Sequence, residues 1–332
     1  MNQTKETLSS LAPAISVVMS VYKEPLTWLE CSIQSILTQT FSDFELIIIV
    51  DNPHHQEAID FIQQKMEEDK RIVLLVNEEN IGLTKSLNKG LYITKGKYIA
   101  RMDADDKSYP VRFAKQYTFL ETHPNVILCG TSIHYVGGKG DRIHIYPPNN
   151  DDIKAEMLFN SGFSHPTIMV RRQTLLDNNI VYDEEYRQTQ DFRLYEMLYD
   201  LGEFANLSDV LLDYRISEKQ ISNRLYGSQG GLMQRIRRRM INKWLVSIGY
   251  RELDYNHAIS RLRVRKDVLK LLNNTKDSYF RSFMKTMYYT NTKDKLGLFI
   301  ISMLNGDFWK MTKRDKISYI GIVIGKVTPI PL

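Results

Sequence analysis

At 332 residues, with 43% apolar and 25% charged side chains, the chain has the composition of a globular protein rather than a disordered one, with room for one large domain plus an appendage, or for two domains. Two cysteines, Cys31 and Cys129, lie in apolar periodic stretches, which argues against a disulfide scaffold and for reduced thiols in a cytosolic setting. The net charge of +5 hides an asymmetry: residues 224–332 carry 22 Lys and Arg against 7 Asp and Glu, whereas residues 1–223 carry 22 against 32.

Residues up to Pro13 are polar and predict a frayed start. Ile15 to Met19 is short and β-branched, the pattern of a buried strand, and it runs into Ser20-Val-Tyr22-Lys-Glu24-Pro25. Leu29, Ile33, Ile36 and Leu37 then recur at helical spacing. A second strand, Phe44 to Val50, stops at Asp51-Asn52-Pro53. A polar helix around Ala58 to Met66 and a third strand, Ile72 to Val76, follow. Asn80-Ile-Gly82 punctuates before a helix marked by Leu83, Leu87 and Leu91, and a fourth strand, Tyr98 to Met102, delivers Asp103.

Beyond Pro110, Phe113, Tyr117 and Leu120 predict a helix, and Val126 to Leu128 a strand ending at Cys129-Gly130. Ile133 to Val136 and Arg142 to Ile145 flank a glycine-rich connection as a hairpin would. Gln190-Asp191 opens a helix carrying Phe192, Tyr195, Leu198 and Tyr199, and Leu207 to Ile216 has the pattern of a closing strand. Strands alternating with helices of this length imply an α/β fold with a mainly parallel sheet and helices on both faces. Neither G-x-G-x-x-G nor G-x-x-x-x-G-K-[ST] occurs, which disfavours a dinucleotide fold and a P-loop NTPase.

The segment Asp103-Ala-Asp105-Asp106 packs three carboxylates into four positions at a strand end. Like charges this close raise one another's pKa unless a cation sits among them. Their oxygens are hard ligands suited to Mg²⁺ or Mn²⁺, and ligands of open α/β sheets bind at the carboxyl ends of strands. The competing reading is a solvated acidic turn before Pro110.

The order of these features resembles the family 2 glycosyltransferases. The resemblance rests on Val17-Val-Met-Ser-Val-Tyr22, Ile47-Ile-Ile-Val-Asp51, Asn80-Ile-Gly82-Leu83 through Ser86-Leu-Asn88-Lys-Gly90, Ala100-Arg-Met-Asp-Ala-Asp-Asp106 with Pro110 and Arg112, His165-Pro-Thr167 and Gln190-Asp191. It spans Ile15 to about Ser222 and implies the nucleotide-sugar-binding GT-A fold, a Rossmann-like mixed, mainly parallel sheet. Domains are therefore expected at 1–223, catalytic, and 224–332, a mainly α-helical basic C-terminal extension.

What the resemblance implies for the site is specific. Asp105 is the main ligand of a divalent Mn²⁺ or Mg²⁺, Asp103 assists it and lies against the ribose, and Asp106 supports or caps a helix. Ser20, Tyr22 and Glu24 line the base and ribose of a nucleotide-sugar donor, a UDP-sugar foremost. Asp51 accepts a hydrogen bond from the base, and Asn80 and Gly82 are further donor-binding residues. Asp51 also fits a turn-starting residue before Asn52-Pro53. Asn52-Pro-His-His55 stands where family members often continue Asp-Gly-Ser. Lys85 is placed near the diphosphate at a helix start, or it is a solvent-facing lysine. Asp191 is the general base that takes the acceptor's proton, or it caps the following helix; Gln190 replaces the Glu usual beside it. His165 either contacts the acceptor or phosphate or is a hydrogen-bonded loop histidine before Pro166. One base and direct displacement predict inversion at the anomeric carbon.

In the basic tail, Leu232, Ile236, Met240 and Trp244 share one helical face, with Arg235, Arg237, Arg238, Arg239 and Lys243 around them. This fits a helix lying on an anionic membrane surface, or an ordinary extension packed on the catalytic domain. Further basic clusters are Arg261 to Lys266 and Trp309 to Lys316, the latter leading to the apolar Ile317 to Val323. No signal peptide is expected, and the longest apolar run, Leu296 to Leu304, is short of the ~20 residues that span a bilayer. No nucleic-acid reader motif is present. The expectation is a non-processive enzyme, cytoplasmic and peripheral at the inner membrane face, extending a glycan or lipid-linked acceptor. A non-catalytic nucleotide-sugar or glycan-binding subunit is the alternative. A sugar-nucleotide pyrophosphorylase is a weaker one, because Ser20 to Pro25 lacks the glycine-rich first loop it requires.

Overall fold

The structure, a computed structural model, describes residues 12–138, 141–157, 161–216 and 230–247. Strands β1 (Ile15–Val21), β2 (Phe44–Val50), β3 (Ile72–Val76) and β4 (Tyr98–Asp103) pair in parallel in the order β3-β2-β1-β4. Helices α1 (Leu26–Leu37), α2 (Gln56–Glu68) and α3 (Leu83–Ile93) are the crossovers between them. Every residue of β1 and β2 is buried. This explains their near-continuous apolar sequences, since a parallel strand covered on both faces has no polar face to show. The order reverses between β1 and β4, so the carboxyl ends of these neighbours flank a topological switch point.

The second half of the sheet is mixed. After a two-residue strand β5 (Lys107–Ser108) and α4 (Arg112–Thr122) come β6 (Val126–Val136) and β7 (Arg142–His144). Then follow α5 (Asn150–Met157), β8 (Met169–Arg171), α6 (Arg172–Asp177), α7 (Gln190–Leu198) and β9 (Glu203–Arg215). The path continues from β4 through β8, β6 and β9 to β5, with β7 on β6. The β4–β8, β8–β6, β6–β7 and β9–β5 pairs are antiparallel, whereas β6 and β9 run parallel with irregular register.

Gly130 does not end a strand as the sequence suggested, because β6 runs straight through it. A Cβ there would come 2.3 Å from Asn206 Oδ1 and 2.8 Å from Phe163 Cδ1, so the glycine admits close neighbours and breaks nothing. β9 likewise begins at Glu203, upstream of the expected Leu207.

The end of β4 is fixed from beneath. Fully buried Arg112 donates from Nη2 to Arg101 O at 2.7 Å and from Nε to Gln116 Oε1 at 3.0 Å. Gln116 Nε2 in turn donates to Cys129 O and Thr167 O, each at 2.9 Å. Satisfied buried polar groups of this kind specify one arrangement.

The chain divides into two compact units, 1–148 with 163–227 and 149–162 with 228–332. The second contains α5 and α8 (Gly230–Ser247). Within α8, Ile236 and Met240 are buried and Arg235 is exposed, as the spacing predicts. Among the described residues no helix is long and apolar enough to cross a membrane. The basic clusters at 261–266 and 309–316 and the apolar run 317–323 lie outside the described residues.

Candidate active site

Asp103 is the last residue of β4, in register with Ser20 of β1. Ser32 Oγ donates to Asp103 O at 2.8 Å, and Asp106 N donates to the same oxygen at 3.4 Å, so the chain turns over α1. The turn brings together one carboxylate oxygen from each of Asp103, Asp105 and Asp106, all within 4.8 Å of one another. Burial raises the pKa of Asp105 to about 7, with added repulsion from Asp103 and Glu24 and a smaller opposing pull from Arg215. Burial, then Asp103 and Asp105, push Asp106 well above the usual carboxylate range.

Asp106 does not cap α4, whose N-cap is Val111. Its Oδ1 instead accepts from Arg215 N at 2.9 Å, and Arg215 Nε donates to Asp105 O at 2.9 Å, tying the turn to the end of β9. The other oxygen, Asp106 Oδ2, is buried without a hydrogen-bond partner. Three convergent hard oxygens, two carboxyls strained toward protonation and one orphaned oxygen fit a Mg²⁺- or Mn²⁺-sized cation.

On the neighbouring strand ends, Asp51 is buried after β2. Its Oδ1 accepts from Asn77 Nδ2 at 2.8 Å and Ile81 N at 2.9 Å, and its Oδ2 from Gly82 N at 2.8 Å. Three donors leave about one of its roughly four lone-pair positions for a ligand. Asp51 therefore shapes the Asn80–Gly82 turn whatever else it binds. Gly82 caps α3 at φ +87°, a left-handed conformation that favours glycine. Glu24 accepts from Tyr22 N at 2.6 Å, which folds the loop after β1 beside the acidic turn. Lys85, in the first turn of α3, stands 3.9 Å from the Glu184 carboxylate, both half-exposed.

Asp191 sits in the first turn of α7, whose N-cap, Thr189, offers no side-chain cap. Burial raises its pKa to about 6, opposed by the N–H groups of Phe192 and of Asp191 itself, and the charge of Asp103 raises it further. Asp191 and Asp103 thus lie within each other's field. His165 meets Tyr182 Oη through Nε2 at 2.8 Å. Burial and the Arg101 cation hold it well below its usual pKa, so it is neutral at pH 7 and offers no positive charge to a phosphate.

A model of the family described as glycosyl transferase family 2 matches residues 16–179. An uncharacterized glycosyltransferase of Methanocaldococcus jannaschii is 34% identical over 211 residues, covering 62% of this chain and 72% of that one. The O-antigen biosynthesis glycosyltransferase WbnJ of Escherichia coli is 36% identical over 214 residues, covering 62% and 80%. The chain belongs to glycosyl transferase family 2. The amylovoran biosynthesis glycosyltransferase AmsE of Erwinia amylovora is a further relative, 30% identical over 212 residues, 63% of this chain and 79% of that one. In fold, this family 2 glycosyltransferase is similar to residues 1–349 of S. aureus TarS, crystallised with UDP-GlcNAc. The TM-score is 0.59 at 16% identity, over 94% of this chain and 90% of that chain, which supports the expected GT-A architecture.

Three residues around this candidate site escaped sequence reasoning. Arg101 is buried two positions before Asp103 and bonds its carboxylate. An arginine inside an apolar strand was a usable signal, because such a charge needs a partner. Arg215 and Tyr182 carried no signal; pairing across the fold brings them in.

Proposed function

We propose that this glycosyltransferase is an inverting, metal-dependent enzyme that moves one sugar from a nucleotide donor, a UDP-sugar foremost, to a glycan or lipid-linked acceptor in bacterial surface polysaccharide synthesis. The observation that carries the reading is the convergence of Asp103, Asp105 and Asp106 at the end of β4, with Asp191 in the field of Asp103. The polysaccharide context comes from relatives named for O-antigen and amylovoran biosynthesis. The UDP assignment is supported by the TarS neighbour crystallised with UDP-GlcNAc.

In this reading Asp105 and Asp103 hold the cation, with a carboxylate oxygen of Asp106 as a third within reach. A bound divalent ion supplies Lewis-acid stabilisation of the departing diphosphate. Ser20, Tyr22, Glu24 and Asp51 line the nucleoside, and the Asn80–Gly82 turn and Lys85 lie on its phosphate side. Asp191 accepts the acceptor hydroxyl's proton as that oxygen bonds to the anomeric carbon. The bond from this carbon to the phosphate oxygen breaks on the opposite face, and its electron pair leaves with the nucleoside diphosphate. A carboxyl with a pKa of about 6 is ionised at neutral pH yet basic enough for the transfer. His165, neutral and bonded to Tyr182, serves the acceptor side as a hydrogen-bonding group.

Purified protein with Mn²⁺ and UDP-sugars, assayed for transfer or donor hydrolysis, tests the proposal. Asp105→Ala and Asp191→Ala each reduce turnover by about 100-fold or more. Near-native turnover by Asp191→Ala removes the assigned base.

A further inference from the structure

We infer that Arg101 is a positioning residue for the metal site, holding the Asp103 carboxylate in the orientation in which it receives the cation. The inference rests on the metal-binding reading above. Arg101 lies in the middle of β4, 3% exposed, among Val18, Ile99, Ile168 and Leu194 of a small internal cavity. A guanidinium in such surroundings is costly unless its N–H groups and its charge are met.

They are met at the two terminal nitrogens, while Nε is buried without a hydrogen-bond partner. Nη1 donates to Val18 O at 3.1 Å and to Met102 O, and Nη2 donates to Asp103 Oδ1. Residues two apart on a strand share a face, so Arg101 and Asp103 are neighbours by pleat as well as by charge. Val18 belongs to the adjacent strand β1, and Arg112 holds the carbonyl of Arg101 itself. The guanidinium therefore has little room to move, and one oxygen of Asp103 is fixed against it. In the metal-binding reading the other oxygen is the one offered to the metal ion. Arg101 also keeps a buried positive charge paired with Asp103 and within the field of Asp106.

A lysine at this position keeps the charge but has a single donor head and cannot bond Val18 O, Met102 O and Asp103 in the same plane. Arg101→Lys thus separates orientation from charge. Arg101→Gln removes the charge and keeps a donor. Binding of Mn²⁺ to the full-length protein, by isothermal titration with UDP present, is the direct readout. Circular dichroism verifies the fold of each variant. Outer-shell partners of metal ligands are worth about 10- to 100-fold in affinity. The expected result is Mn²⁺ binding weakened about 10-fold or more in both variants, with the transfer rate recovering toward native at saturating Mn²⁺.

If Arg101 were only a repelling neighbour, Arg101→Gln would bind Mn²⁺ more tightly and Arg101→Lys as well as native; either result overturns the inference. A variant that does not fold is set aside and the other decides. Should neither fold, selective ¹⁵N-arginine spectra of the native protein replace them. A slowly exchanging buried guanidinium signal that moves on adding Mg²⁺ with UDP supports the role, and one unmoved contradicts it. Native protein that binds no Mn²⁺ with UDP overturns the metal reading itself and this inference with it. That failure is distinct from native binding left unchanged by the variants.

Discussion

Asp105 and Asp191 hold protons longer than free carboxyls do, to about pH 7 and about pH 6, with burial as the main cause in each. In the unfolded chain both lose their protons near pH 4. Between that value and the folded ones these two carboxyls bind more protons in the native state, so their share of the stability of metal-free protein falls as pH rises from about 4 to about 7, while His165, held below its ordinary value, contributes in the opposite direction up to about pH 6.5. The melting temperature of Asp191→Asn relative to native protein isolates one carboxyl's share; a difference that does not grow as pH rises from about 4 to about 7 contradicts the assignment. Asp191→Asn removes one buried charge, and above pH 7 it stabilises the metal-free protein by about 1–3 kcal/mol while activity drops about 100-fold or more. In the native enzyme, transfer rises with pH through about 6 as Asp191 ionises. Much of this was legible in the sequence, since spaced aspartates at predicted element ends betray a charge problem that the fold must solve. The partners were not, because Arg101, Arg215 and Tyr182 reach the site through pairing across the sheet or packing of distant loops.

Period and punctuation located the parallel half of the sheet to within a residue or two, because β1 to β4 are apolar runs separated by periodic helices. The mixed half was harder to read. β5 is two residues long and α6 six, too short for periodicity to register, and β6 passes through a glycine that elsewhere signals a stop. Gly130→Ala forces a Cβ against Asn206 and Phe163 and lowers stability by about 1–3 kcal/mol, measurable by denaturant titration. Gly82→Ala meets open space but must hold φ at +87°. It costs about 1–2 kcal/mol. Because the turn donates two backbone N–H groups to Asp51, the substitution also weakens UDP binding, whereas alanine at the exposed Tyr92 leaves it unchanged.

Charge divides the chain between residues 1–223, acidic, and 224–332, basic. The acidic part contains the Asp103–Asp106 carboxylate cluster, and we propose that the basic part faces anionic lipid at the inner membrane surface. Each cation near such a surface contributes about 1 kcal/mol and is screened by salt. Full-length protein should therefore sediment with phosphatidylglycerol-rich vesicles, fail to do so with phosphatidylcholine alone, and come off in high salt. Equal recovery in the supernatant with both lipids removes the membrane role and leaves the extension as a packing element. The catalytic proposal stands apart from that outcome, because its residues all lie before position 216. Its test is calorimetric titration of UDP into native protein and into Asp105→Ala, with Mn²⁺ and with chelator. The account predicts Mn²⁺-dependent binding in the native protein that is lost by about 100-fold or more in the variant. Equal UDP affinity in all four titrations would contradict it.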